Sequence, residues 1–321
     1  MTSKHTPDRR AQYTITAPTL RRAHRDTRAT VVIITHDRRA ELARTLAAMA
    51  TSPDDMPIIV VDNGSSDGTA HMVERRFPSV TVIRCSENAG AIGRNVAVAQ
   101  LTTEYVAFCD DDTIWQPGSL RRAADLLDEH DGLGSVTGRC LVEPDLAEDP
   151  LTPELRYSPI RGPSWLPGPA LLGVMAGLSM FRTRAFREVG GFCERMWLGG
   201  EEELLAVDLA EHGWWMCWAE DVIIHHAPSA GRDATRRRQL GIRNALWTLW
   251  LRRPASSAVR RGLRIIGSAP RDAATARAVL EALRGAGWVV RHRAVVSDRV
   301  EAGLRQLEES QATSPARRYV G

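Results

Sequence analysis

The tightest constraint on the fold of this chain is the rhythm of its first third. Short apolar, largely β-branched runs recur at 30–35, 57–62, 80–83 and 105–109. A run that is apolar at every position fits a strand buried on both faces rather than one with a wet side. Between these runs, 41–49, 69–76 and 93–101 carry apolar residues at helical spacing, with Asp67 or Thr69 near the cap of the second. Strands alternating with helices predict a doubly wound α/β fold with a mostly parallel sheet flanked by helices. Right-handed crossovers then bring the C-terminal ends of the strands to one edge, where ligands of such folds bind.

The rest of the chain is less regular. Residues 1–29 are polar and basic without periodicity and read as a mobile, disordered arm. Pro144, Pro150, Pro153, Pro159, Pro163, Pro167 and Pro169 mark 144–169 as a long loop. Helical spacing returns at 200–212, 241–251, 271–284 and 298–309, with a short strand at 222–224. Residues 255–321 read as a C-terminal helical extension.

Composition removes several classes of function. An apolar content of 43% builds a core, and a net charge of +3 leaves no footprint for nucleic acid. Of 42 basic residues all but Lys4 are arginine, so no buried lysine is on offer for chemistry. The cysteines, Cys85, Cys109, Cys140, Cys193 and Cys217, are odd in number and contain no CxxC. That pattern opposes a disulfide framework and a structural zinc site, and fits a cytoplasmic protein. No secretory signal and no membrane-spanning run stand out.

Five constellations could carry chemistry. Asp110, Asp111 and Asp112 end a buried strand. Three adjacent carboxylates repel unless a cation neutralises them, and hard oxygen donors suit Mg²⁺ or Mn²⁺, ions that bind diphosphates. By itself the triplet reads equally well as a solvated acidic turn. Asp62 and Asn63 open the turn 62–69 at the same edge, where a carboxylate can accept from a base or a ribose, or simply shape the turn. Arg94 opens a helix after the small residues 89–93, a place suited to phosphate; neither GxGxxG nor GxxxxGK is present. Gly199 and Gly200 precede Glu201, Glu202 and Glu203, so one carboxylate could enter a cleft as general base while others complement the helix dipole. His225 and His226 follow a strand and could complete a metal site.

In this order the blocks resemble the family 2 glycosyltransferases of the GT-A fold, over roughly residues 30–254. The family opens with a Thr-Tyr-Asn-Arg-like turn, here Thr35-His36-Asp37-Arg38. The resemblance implies a metal-dependent, inverting transfer of sugar from a nucleotide diphosphate sugar, a UDP- or dTDP-sugar, to an acceptor hydroxyl. It implies a nucleotide-sugar-binding half at 30–140 and an acceptor-binding half at 141–254. Donor contacts fall on Thr35, His36, Arg38, Asp62, Asn63, Arg94, Asp110 and Asp111. The divalent metal (Mn²⁺ or Mg²⁺) falls to Asp110, Asp112 and His225, with His226 as fallback. Glu202 takes the place of the family's aspartate base, and Gly200, Glu201, Trp197 and Trp165 lie on the acceptor side. Implied partners are the donor and an acceptor saccharide, lipid-linked saccharide or natural product.

Arg243, Trp247, Trp250, Arg252 and Arg253 combine aromatic and cationic character. They suit peripheral contact with the inner face of a membrane, or else a helix packed on the sheet domain with a solvated arginine face. Competing functions are a sugar-nucleotide pyrophosphorylase, which lacks its catalytic lysine here, a phosphatase using Asp110-x-Asp112, and a non-catalytic nucleotide-sugar binding module opposed only by Glu202.

Overall fold

A computed structural model of the protein describes residues 12–20, 26–228 and 233–312. Strands are β1 (Tyr13–Thr16), β2 (Ala29–Thr35), β3 (Ile58–Asp62), β4 (Thr81–Cys85), β5 (Tyr105–Asp110), β6 (Thr113–Trp115), β7 (Leu133–Val142), β8 (Ala147–Glu148), β9 (Ala170–Leu171), β10 (Ser179–Arg182) and β11 (Trp215–His226). Helices are α1 (Arg39–Ala50), α2 (Thr69–Arg76), α3 (Ile92–Val98), α4 (Ser119–Glu129), α5 (Thr152–Arg156), α6 (Thr183–Glu188), α7 (Glu201–Glu211), α8 (Ala234–Arg252), α9 (Ala255–Ser268), α10 (Ala273–Arg284), α11 (Ala286–His292) and α12 (Asp298–Ala312).

One sheet runs in the order β1-β4-β3-β2-β5-β10-β7-β11-β6. Strands β2 to β5 are parallel neighbours, as the β-branched runs predict. Beyond β5, β10 is antiparallel to both β5 and β7, while β11 runs parallel to β7. Register matters for function: Thr35 pairs with Asp62 and Ile34 with Asp110, so three candidate blocks finish at one edge.

Each face carries its own core. Leu42 and Leu46 of α1 and Leu120 and Leu127 of α4 cover one face against Val31, Ile33 and Cys109. Phe108, Phe181, Phe186 and Phe192 fill the other, with Leu205 and Leu209 of α7. Phe108 has its three partner rings at 5.4, 5.3 and 5.9 Å in tilted or edge-on contact, the arrangement aromatic quadrupoles prefer.

Several expectations need correction. Within the segment read as a disordered arm, Tyr13–Thr16 forms an edge strand antiparallel to β4. Nearby, Arg28 is gripped by Asp26, Asp125 and Asp128. Four residues alternating between polar and apolar are too short a signal to stand out from a tail. Lys4 lies outside the described residues. The proline-rich loop contains α5 and the two-residue β8. The short strand at 222–224 is the end of a 12-residue β11, and the helix at 241–251 starts earlier, at Ala234. The arginine–tryptophan surface is largely internal: Arg243, Trp247 and Arg253 are buried, and Arg252 pairs with Asp208. Only Trp250 of that set is exposed. All five cysteines are free thiols.

Candidate active site

The strand ends open into a cavity of about 700 Å³. Thr35, His36 and Arg38 come from the turn after β2, Asn63 from the end of β3, and Asp110 and Asp111 from the end of β5. Opposite them stand Arg94 of α3, Trp197, and Glu201 and Glu202 at the start of α7. Neighbouring turns clasp one another. Asp67 accepts the Arg39 backbone N–H at 3.0 Å, which caps α1 from outside, and Asp37 accepts the Ser66 N–H at 2.6 Å.

The acidic triplet is held by arginines. Arg94 donates to Asp110 at 2.5 Å, and Arg38 reaches Asp111 at 2.8 Å and Asp112 at 3.0 Å. The repulsion that seemed to demand a metal is therefore offset by two guanidiniums of the chain itself. Asp111 also accepts the Thr35 hydroxyl at 2.9 Å. Burial nonetheless pushes its carboxyl up to about 7, against the pull of Arg38 and Thr35. Asp110 keeps the most open carboxylate of the three, seated over Gly177, where any Cβ would stand 2.7 Å from its Oδ2. Arg94 is itself buried, with its guanidinium 5.7 Å from the rings of both Phe108 and Phe192.

Across the cavity, Gly199 and Gly200 have φ of +83° and +87°, a region that a glycine enters without strain, and they turn the chain into α7. Glu201 is buried, and burial raises its carboxyl above the ordinary range. Glu202 accepts the Ala176 backbone N–H at 2.5 Å. Burial first, and then the neighbouring Glu201, push Glu202 up to about 7 despite that hydrogen bond. A carboxyl poised there serves proton transfer near neutrality. Trp197 closes the wall with a left-handed backbone (φ +60°); its indole donates to Asn88 O at 2.9 Å and its carbonyl accepts from Ala91 N at 2.8 Å.

Some expected site residues take other places. Asp62 does not line the cavity; its Oδ1 accepts the Ser65 N–H at 2.9 Å and shapes the turn. Asn63 faces the cavity and ties the turn to Gly90 O at 3.0 Å. His226, not His225, faces Asp112, with Nε2 3.7 Å from Oδ1; alternation along β11 turns His225 to the opposite side. Among the described residues, the group of metal-ligating side chains with atoms within 4.8 Å of one another is Cys140, Asp149 and His226, which contains neither Asp110 nor Asp112. Trp165 is not brought to the cavity: it stacks on His130 at 5.8 Å, beside Gly132. Sequence reasoning missed Arg236, Arg237 and Leu240, which line the cavity from the first turns of α8. The Arg236-Arg237-Arg238 run was the available signal, but only tertiary packing shows where it points.

This arrangement is the GT-A fold of glycosyltransferases. Solved relatives of that shape include a mannosyltransferase from Pyrobaculum calidifontis in complex with GDP-Man and Mn²⁺ (TM-score 0.57, 20% identity, 95% of this chain and 84% of that one). TarS residues 1–349 from S. aureus align with TM-score 0.58 at 17% identity, over 92% and 89% of the two chains. GalNAc-T7 with UDP, GalNAc and Mn²⁺ aligns with TM-score 0.64 at 13% identity, over 90% and 58%. The model of the glycosyl transferase family 2 matches residues 30–190, half of the sequence, and the chain belongs to that family as a glycosyltransferase. Its sequence is 26% identical over 242 residues to the N-acetylglucosaminyl-diphospho-decaprenol L-rhamnosyltransferase of Mycobacterium tuberculosis, covering 63% of this chain and 78% of that one. A 94-residue stretch is 35% identical to the poly(ribitol-phosphate) beta-N-acetylglucosaminyltransferase TarS of Staphylococcus aureus, covering 28% of this chain and 16% of that protein. Membership sets aside the nucleotidyltransferase, phosphatase and non-catalytic readings.

Proposed function

We propose that the protein moves a sugar from a UDP- or dTDP-sugar, with inversion and with a divalent metal, onto the hydroxyl of a saccharide acceptor, a lipid-linked one being favoured. The observation that carries this is Glu202: a carboxylate poised near neutrality, held by a backbone N–H, in the same cavity as Asp110 and Arg94. The acceptor reading draws on the decaprenol-linked substrate in the name of the mycobacterial relative.

The donor's base and ribose lie against Thr35, His36, Asn63 and Asp111, with Asp62 setting the turn beneath them. Arg94, Arg236 and Arg237 offer guanidiniums to the diphosphate, where bidentate geometry suits phosphate oxygens. The donor set for a metal is chemically apt: the open Asp110 carboxylate, Asp112 with its side chain closed to solvent, and the imidazole of His226 beside it. A bound divalent ion would stabilise negative charge on the leaving diphosphate. Arg38 and Arg94 then hold the carboxylates in place as a ligand arrives.

Glu202 removes the proton from the acceptor hydroxyl as its oxygen bonds to the anomeric carbon. The bond from that carbon to the diphosphate breaks, and the nucleoside diphosphate leaves. One displacement inverts the anomeric centre. The half formed by residues 30–140 holds the donor, and 141–254, with Trp197, Gly200 and Glu201, holds the acceptor.

The test is Glu202→Gln. Donor affinity by calorimetry should stay within about twofold while transfer falls by about 10²–10⁴, the usual worth of a general base. A fully active Glu202→Gln enzyme would end the assignment, and retention at the anomeric carbon, read by NMR of the product, would end the single-displacement mechanism.

A further inference from the structure

The C-terminal helices leave apolar side chains in water. On α9 the inward stripe is Ala258, Gly262 and Ile265, packed toward Ile242 and Leu246 of α8. A second stripe, Val259, Leu263 and Ile266, follows the same i, i+4, i+7 spacing on the outer side, and Leu263 is 67% exposed. On α10 the pattern repeats. Ala278 and Ala282 face α8, while Leu280 and Leu283 face outward, Leu283 at 66% exposure. Two helices packed on α8, each with a surplus apolar stripe, exceed the scattered apolar residues normal on a surface.

The charge beside these stripes has one sign. Helix α9 contains no acidic residue, and Arg260 and Arg264 are exposed along its outer stripe. On α10, Arg277 and Arg284 flank Leu280 and Leu283. The nearby carboxylates are engaged: the exposed Asp272 pairs with Arg238, and Glu281 accepts from Gln239 at 2.7 Å and from Arg243 at 3.3 Å. An apolar stripe edged by arginines alone complements an anionic lipid surface, in which alkyl groups enter the acyl boundary while guanidiniums stay at the headgroups.

Position adds to this. Helix α8 supplies Arg236, Arg237 and Leu240 to the cavity, and the Arg238–Asp272 pair fixes the start of α10 beside that end of α8. Ile265, in the last half of α9, and Ala269, just after it, pack in the same cluster as Ile242. The start of α10 and the end of α9 therefore lie beside the end of α8 that lines the cavity.

We propose that the outer faces of α9 and α10 dock the protein on an anionic membrane surface. The benefit to transfer rests on the lipid-linked acceptor reading above; the docking itself does not.

The experiment is flotation of the full chain with vesicles of phosphatidylcholine alone or with phosphatidylglycerol. Binding is expected with the anionic vesicles, weak with the neutral ones, and lost at high salt. The variants Leu263→Asp and Leu283→Asp, at exposed positions that leave the fold intact by circular dichroism, should each weaken binding by about tenfold or more. Absence of binding to anionic vesicles overturns the proposal, as does binding unchanged in both variants. A concentration-dependent dimer in light scattering that the same variants dissolve, without vesicle binding, overturns it in favour of a second copy of the chain. Glu202→Gln should float like the parent chain, so a failed transfer assay and a failed docking assay point to different readings.

Discussion

Gly90 sits at φ +59°, and a Cβ there would lie 2.5 Å from the Trp197 carbonyl oxygen. The Trp197 indole stands 2.9 Å from the same point, and its N–H is tied to Asn88 O, so the neighbour has little room to yield. Gly90→Ala should therefore cost about 1–3 kcal/mol in chemical denaturation and weaken donor binding, because Trp197 and Asn63 both anchor to this loop. The neighbouring carboxylates predict a pH dependence. Glu202 acts as base only when ionised, and its carboxyl is pushed up to about 7. Transfer should then rise with pH through about 7, with donor affinity much flatter; a rate independent of pH between 5.5 and 8.5, roughly one and a half units either side of that value, would contradict a base at this position. At this scale the sequence was legible where chemistry and turn coincide: Asp110 and Asp111, Arg94, and Gly199 with Glu201 and Glu202 line the cavity, while Asp112 lies closed to solvent behind them. Roles within the blocks were less so. Asp62 and Asn63 are adjacent, and only the backbone of the turn decides which side chain faces the cavity.

At the scale of elements, a buried ion cluster ties α12 to the end of α8. Arg253, just beyond α8, donates to Glu301 at 2.8 Å and also contacts Glu308, both on α12. Burial alone would raise the Glu301 carboxyl, but donors from Arg253, Ser257 and Arg305 outweigh it and hold it at about 2. A folded value below the unfolded one contributes stability above about 4.5 that is lost as pH falls toward 2. Arg253→Met removes the one guanidinium shared by both carboxylates and leaves Glu301 to Arg305 and Ser257 and Glu308 to the more distant Arg261. It should cost about 1–3 kcal/mol in urea unfolding, with the deficit shrinking below pH 4. Strands β2 to β5 and helices α1 and α2 were readable because β-branched runs and helical spacing are local signals. Helix α9 was not, because Gly262, Gly267 and three serines dilute its pattern and its outer stripe is apolar. Strands β7 and β10 escaped too: small and polar residues such as Gly134, Ser135, Thr137 and Ser179 are buried there by neighbours far along the chain.

For the molecule as a whole, two arginines neutralise most of the acidic triplet without help, so the fold does not wait for an ion. A chelator should leave the melting temperature within about 1 °C while donor binding falls sharply. A large drop in melting temperature on chelation would mean that a metal holds the structure together elsewhere. Doubly wound architecture was legible from the alternation of elements, whereas the reversal at β10 was not, since no local feature of Ser179–Arg182 distinguishes a strand running against its neighbours.

The strand at Tyr13–Thr16 has a bearing on how the chain behaves when shortened. It occupies the free hydrogen-bonding side of β4, with Tyr13 opposite Cys85 and Thr16 opposite Val82. Trimming the sequence to the first residue of the family match would strip that cover. The naked ladder left on β4 would then recruit strands from other molecules, and the product would be a precipitate rather than a smaller enzyme.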